Sequence, residues 1–330
     1  MQNMFSKGKT LRKVSLSGIL LVICFIAETS LSQERYPVKP ITMVGRSAAG
    51  GMADVMTRAL CKVAEKEMGQ PIICENRSGG GGVVGMSYVL KSKPDGYTIG
   101  NTASATYINN PHMENVPYNP LTDITDIMVF FRYTHALCVR ADAPWNTFDD
   151  VLSYARQNPG KFSYGGAGVG VTQHVAMERI AMKEGIKWSY VPFKSGAEPV
   201  IACLGGHISG VAQGPADVVQ HIRSGKLKLL LALNDVRWEI APDVPTVLEK
   251  YGFYGMSLQS IYGPKGISES VKGKLHNVFK KAMEDPSFVE TAKALNVVLL
   301  YMSGKDYEKL WRPQYDEMGK IIKGLGLAKK

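Results

Sequence analysis

The sequence predicts an α/β fold built as two domains, on three observations. Short apolar runs alternate with longer stretches of helical period. Small-residue loops join each run to the helix after it, and 330 residues suffice for two buried cores.

Taken in order, residues 41–44 form the first strand candidate and residues 45–51 a loop of mostly small side chains. A helix begins near Met52, with Val55, Met56, Ala59, Leu60, Val63 and Ala64 on one face, and Gly69 stops it. Residues 72–75 read as the second strand, 77–82 as a glycine loop and 83–91 as a helix. The third strand, 97–100, leads into a loop of hydroxyl and small residues at 102–106. A long apolar run at 127–139 is interrupted by Arg132 and His135, and Asp142, Ala143 and Pro144 end it. Beyond it come a helix at 149–157, a strand at 162–164 and a glycine loop at 165–170, which opens a helix carrying His174, Met177 and Ile180. Strands near 189–191, 208–212 and 227–232 and a helix at 197–204 complete the middle of the chain. Residues 258–262 are a strand, and the tail from Ser268 reads as helices with one strand at 297–300.

The first residues read as an export signal. Lys7, Lys9, Arg12 and Lys13 precede the apolar stretch 19–27. Ser30 and Ser32 then supply the small side chains that a signal peptidase needs, which places cleavage after Ser32. That stretch is shorter than the roughly 20 residues of a membrane span. Cys24 would suit lipid attachment, but Ile23 before it is a poor neighbour for such a site. With 45% hydrophobic and 21% charged residues, the composition is that of a folded chain. The net charge is +10, and losing Lys7, Lys9, Arg12, Lys13 and Glu28 with the leader removes +3 and leaves +7, a field that draws anionic ligands. Dense Lys/Arg runs with interleaved aromatics are lacking, so no nucleic acid is expected as partner. An exported chain is free to form disulfides, yet Cys61, Cys74, Cys138 and Cys203 each sit in an apolar run and read as buried free thiols.

Three strand–loop–helix junctions carry the functional reading, at 47–51, 104–106 and 166–170. Each offers backbone N–H groups at the positive end of a helix, and small residues let an anion approach them. Together they suggest a cleft that grips a carboxylate through the main chain. Gly80, Gly82 and Gly85 have the spacing of a dinucleotide fingerprint. They follow the second strand, however, and no acidic residue ends a strand about 20 residues on, so no cofactor is expected. The six histidines are dispersed, and the nucleophile-elbow, zinc and dithiol motifs are missing, so neither a catalytic nor a metal site is expected. His174 reads either as a cleft residue or as a packing histidine bonded to a carbonyl, and Asp54 as a structural cap.

After residue 32 the chain resembles the Bug-type periplasmic solute receptors of the tripartite tricarboxylate transporter family. The resemblance rests on Tyr36 to Ile41, on Ala48 to Gly51 with Asp54 and Arg58, and on Gly69 to Pro71 with Glu75, Asn76, Arg77, Gly81, Gly82 and Gly85. Pro94 to Thr98, Pro117 to Pro120, Ser224 to Leu227 and Pro242 to Thr246 follow in the family's order. It implies a two-lobed Venus-flytrap fold of the periplasmic-binding-protein type: residues 33–136 with 257–330 in one lobe, 137–256 in the other, and residues 1–32 as the leader. It also implies a monomer that hands a small carboxylate to the membrane permease subunits of a tripartite transporter, or signals to a membrane sensor kinase. A hydrolase or nucleotide-dependent enzyme is the remaining alternative. The family's ligand positions fall here on Ser47, Ala48, Ala49, Gly50, Gly51, Ala53, Ser104, Thr106, Gly166, Ala167, Gly168, Thr172, Gln213 and Gly214. Arg46, Met52 and Ala53 depart from the family pattern. Losing the usual threonine hydroxyl at Ala53 removes a donor worth about 1 kcal/mol, and Ser47 or Arg46 is a candidate to replace it, Arg46 through a bidentate guanidinium.

Overall fold

The computed structural model describes residues 36–255 and 257–329, so the expected leader lies outside the described residues. Lys39–Lys330 forms one compact unit. Its strands are β1 (Ile41–Gly45), β2 (Ile72–Asn76), β3 (Thr98–Ala103), β4 (Ile124–Arg132), β5 (Ala136–Arg140), β6 (Ser163–Ala167), β7 (Ser189–Phe193), β8 (Gly210–Gln213), β9 (Leu227–Ala232), β10 (Leu258–Pro264) and β11 (Val298–Ser303). They build two mixed sheets, in the orders β11-β4-β10-β3-β1-β2 and β7-β6-β8-β5-β9. In the first, β1 pairs in parallel with β2 and β3, while β10 runs antiparallel to β3 and β4. In the second, β6 is parallel to β7 and β8, and β5 is antiparallel to β8 and β9.

The interrupted apolar run is where the chain changes sheets. Ile127, Met128, Val129, Phe130 and Phe131 are buried in β4 and Leu137, Cys138 and Val139 in β5, and residues 133–135 cross between the sheets. The return crossing, from β9 to β10, lies beside them. Arg132 bonds both Asp235 carboxylate oxygens at 3.0 Å, and Asn234 Oδ1 accepts the His135 N–H at 2.6 Å. Each sheet has its own core. Val44, Tyr107, Val129, Tyr262 and Trp311 pack on the first. Along β5, Leu137 and Val139 face one core while Ala136 and Cys138 face another, the alternation a two-sided buried strand requires.

Helix placement follows local chemistry. The helix α1 (Met52–Met68) turns Ala53, Met56, Leu60, Ala64 and Met68 inward. It stops where Gly69 enters the left-handed region at φ 71° and returns its N–H to Glu65. Next come α2 (Val83–Leu90), the short α3 (Ala105–Ile108), α4 (Asn110–Met113) and α5 (Pro120–Asp123), and α6 (Phe148–Gln157), which opens with a capping box between Thr147 and Asp150. The middle of the chain adds α7 (Thr172–Glu184), α8 (Ala197–Leu204) and α9 (Pro215–Arg223); the tail adds α10 (Val247–Tyr251), α11 (Glu269–Met283), α12 (Pro286–Ala294) and α13 (Gly304–Gly324).

Three expectations need correction. The loop expected at 102–106 is part strand and part helix, because β3 runs to Ala103 and α3 starts at Ala105. Gly166 and Ala167 belong to β6, paired with Pro192 and Phe193, so the glycine loop begins later than expected. Helix α9 has no counterpart in the reading above, although Pro215 at its start and the buried pair Val218 and Val219 mark it. No helix of the described residues is long and apolar enough to cross a membrane.

Candidate functional site

Both sheets aim the carboxyl ends of their parallel strands at one cavity, the usual ligand position in open α/β sheets. Arg46 and Ser47 follow β1, Ala103 ends β3, Ala167 ends β6 and Gln213 ends β8, and all five line it. The crossing segment contributes Tyr133 and His135. The volume, about 310 Å³, fits a small organic molecule.

The walls are helix starts. Met52 and Ala53 from the first turn of α1, Thr172 and Gln173 from that of α7, Gly196 at the α8 cap, and Gly214, Ala216 and Asp217 at the start of α9 all line the cavity. First-turn N–H groups have no acceptor within their own helix, and the helix dipoles place positive potential on the same side. An anion here meets such groups from both sheets.

One guanidinium adds a full charge. Arg46 donates through Nη1 to Gly81 O at 3.2 Å, while its buried Nε has no partner. Tyr133 donates to Gln259 Oε1 at 2.9 Å, and Gln259 donates to Asn101 at 2.6 Å, which ties the wall to the buried end of β3. Burial raises the Tyr133 phenol, and the neighbouring Arg46 guanidinium pulls the other way. Burial pushes the His135 ring down to about 4, so it is neutral near pH 7.

The predicted positions divide into two groups. Arg46, Ser47, Ala53, Ala167, Thr172, Gln213 and Gly214 line the cavity. Ala48, Ala49, Gly50, Gly51, Ser104, Thr106, Gly166 and Gly168 do not. Residues 48–51 are exposed, and their loop is held by Asp54, whose Oδ2 accepts the Gly50 N–H at 2.9 Å. The other Asp54 oxygen takes bonds from Arg58 and Asn76 at 2.9 and 2.8 Å. Burial pushes the Asp54 carboxyl up, but these three bonds outweigh it and hold the group below its usual value. Its role is structural, as expected, though it secures the loop and not a helix N–H. The Ser104 hydroxyl is committed to β10, donating to Leu258 O at 3.1 Å and accepting Leu258 N–H at 2.8 Å. Thr106 Oγ1 accepts from Thr102 at 2.8 Å and donates to Gly81 O at 3.1 Å. Gly166 is closed over by Tyr190, whose oxygen would lie 2.9 Å from an added Cβ, and Tyr190 also donates to Gly168 O. Sequence reasoning missed Tyr133, His135, Asn110, Gln173 and Asp217, all of which line the cavity. The one sequence signal among them was the polar break in the run 127–139, which marked His135 together with Arg132.

His174 is the packing residue of the two readings, with a different bond. It is 4% exposed, its Nδ1 accepts the Gly170 N–H at 3.0 Å, and its ring stacks on Tyr190 at 3.9 Å. Burial pushes it down to about 4. The unfolded chain therefore takes up this proton first as pH falls. The group's stabilisation is complete above about pH 6.5 and drains away toward pH 4, by about 3 kcal/mol in all. In urea unfolding, the stability gap between the native protein and His174→Asn should narrow from pH 7.5 to pH 4.5. A gap independent of pH would refute this assignment.

The four described cysteines are free thiols; Cys74 is half-buried and the other three are buried. Among the described residues no three His, Cys, Asp or Glu side chains gather for a metal.

Comparison with known proteins agrees with this geometry. Residues 56–327 match the tripartite tricarboxylate transporter family receptor. A protein of Cupriavidus necator, described as a UPF0065 protein in the gbd 5' region, is 36% identical over 297 residues, 90% of each chain. The solute-binding protein TctC from Polaromonas superposes with a TM-score of 0.75 at 28% identity, covering 88% of this chain and 99% of that one. The periplasmic binding protein BugD gives 0.76 at 26%, covering 89% and 100%. Two Rhodopseudomonas palustris structures, at 24% and 22% identity, share the fold with TM-scores of 0.77 and 0.74; one holds adipate and the other, MatC, malate. The two-lobed α/β fold, the match over most of the sequence and the cleft of helix starts agree: the chain belongs to the tripartite tricarboxylate transporter family receptors, and is a Bug-type solute-binding receptor and not an enzyme.

Proposed function

We propose that this receptor is exported to the periplasm, captures a small carboxylate in the cavity between its two sheets and delivers it to the membrane permease subunits of a tripartite transporter. One lobe comprises residues 33–136 with 257–330, the other 137–256, and the receptor acts as a monomer. The observation that carries the reading is the convergence of Arg46 and the first turns of α1, α7 and α9 on one cavity. Arg46 takes one carboxylate through two charge-assisted bonds, and the N–H groups of Met52, Ala53, Thr172 and Gln173 are placed for the remaining lone pairs. The adipate and malate held by two proteins of the same fold support a carboxylate as cargo. Ser104 and Thr106 act by holding β3 and α3 in place for Ala103 and Ala105, which line the cavity. Closure requires only that the ligand bind the closed form better than the open one.

A thermal-shift screen of the mature protein against mono-, di- and tricarboxylates tests the reading, after partial unfolding and refolding to strip carried-over ligand. An acid at 100 times its dissociation constant stabilises the fold by about 2.7 kcal/mol. A selective rise in melting temperature supports carboxylate capture, and a flat response to every acid contradicts it.

A further inference from the structure

Opposite Arg46 the cavity carries a second polar pair that the carboxylate grip does not use. Gln213 ends β8, Gly214 caps α9, and Asp217 stands in the first turn of α9 with its N–H on Gly214 O at 3.1 Å. Gln213 is only 4% exposed, yet its Nε2 donor has no partner, the costly state for a buried amide. Gly196, the cap of α8, lies against the Asp217 carboxylate. A Cβ there would meet the carboxylate at 2.6 Å, so only glycine lets the acid lie against that helix start. Burial raises the Asp217 carboxyl. The cavity thus presents one buried donor without a partner and, four residues on in sequence, a half-buried carboxylate.

The chemistry narrows what satisfies both. An ammonium donates but cannot accept, and leaves Gln213 unmet. A second carboxylate accepts but meets Asp217 as a like charge. A hydroxyl accepts from Gln213 Nε2 and donates to Asp217 at once. We propose that Gln213 and Asp217 form the second recognition point of the cleft and read a hydroxyl, so that the cargo is a hydroxy-carboxylate. This rests on the carboxylate reading above and specifies what lies beyond the carboxylate.

Calorimetric titration with matched acids tests it: propionate, succinate, glutarate and adipate, each against its 2-hydroxy, 2-amino and primary-amide counterpart. In the wild-type protein the hydroxy member of the best-binding set should bind tenfold or more tighter than the plain acid, about 1.4 kcal/mol. Asp217→Ala and Gln213→Leu should bring that ratio close to one. Melting temperatures of both variants report on folding, and the wild-type comparison stands without them. Equal affinities within every wild-type set, or a preference for the amino or amide member, overturns the hydroxyl assignment and leaves carboxylate capture intact. Binding by no acid overturns both.

Discussion

Replacing Arg46 with alanine should weaken binding of the preferred acid by about a hundredfold, and Arg46→Lys should recover only part of that loss. The expectation follows from the one cation among the described residues of the cavity wall, whose Nε is buried without a partner. A guanidinium that chelates a carboxylate makes two charge-assisted bonds, each about twice as strong as a neutral one, and lysine offers only a point charge. Loss of about 3 kcal/mol is a hundredfold or slightly more. Because Nη1 also holds Gly81 O, some loosening of the glycine loop is expected with it. Titration calorimetry at fixed salt reads the change. Unaltered affinity in Arg46→Ala would mean that this side chain is a solvated neighbour of the site.

The second large effect concerns the scaffold. Gly304, the first residue of α13, lies against the backbone of β4: an added Cβ would stand 2.1 Å from Asp126 O and 2.9 Å from Ile127 O. Neither carbonyl can move, because β4 is paired on both sides, with β10 and β11. Alanine would therefore push the helix start off the sheet. That shift would disturb the buried bond from Trp311 Nε1 to Asp126 Oδ2, 2.9 Å long, and the packing of Tyr307. Gly304→Ala should cost about 3 kcal/mol. Gly273, inside α11 with open space around it, is the contrast. There alanine should be neutral or stabilise by up to about 1 kcal/mol. Urea unfolding of the two variants decides, and equal stabilities would show that β4 and α13 separate at little cost.

How much of this the sequence disclosed depended on the range of the interaction. Alternation of strand and helix was legible because periodicity and glycine stops are local, as at Gly69. The change of sheet between β4 and β5 was visible as a polar break in an apolar run. Ser104 and Thr106 looked like ligand donors because their partners, Leu258 and Gly81, lie 154 and 25 residues away and leave no local trace. Asp217 was overlooked because α9 was overlooked: a nine-residue helix with few apolar positions hardly rises above the surrounding pattern. Arg46 was legible as a candidate only because it departs from the family's pattern at that point, and the structure brings it to the cavity wall.

The most direct test of the central claim is a crystal structure of the mature protein with the acid that gives the largest thermal shift. The account predicts its carboxylate between Arg46 and the first turns of α1 and α7, with the rest of the molecule directed toward Gln213 and Asp217. An acid bound outside this cavity, or one that reaches it without touching Arg46 or any of those helix starts, would contradict the account.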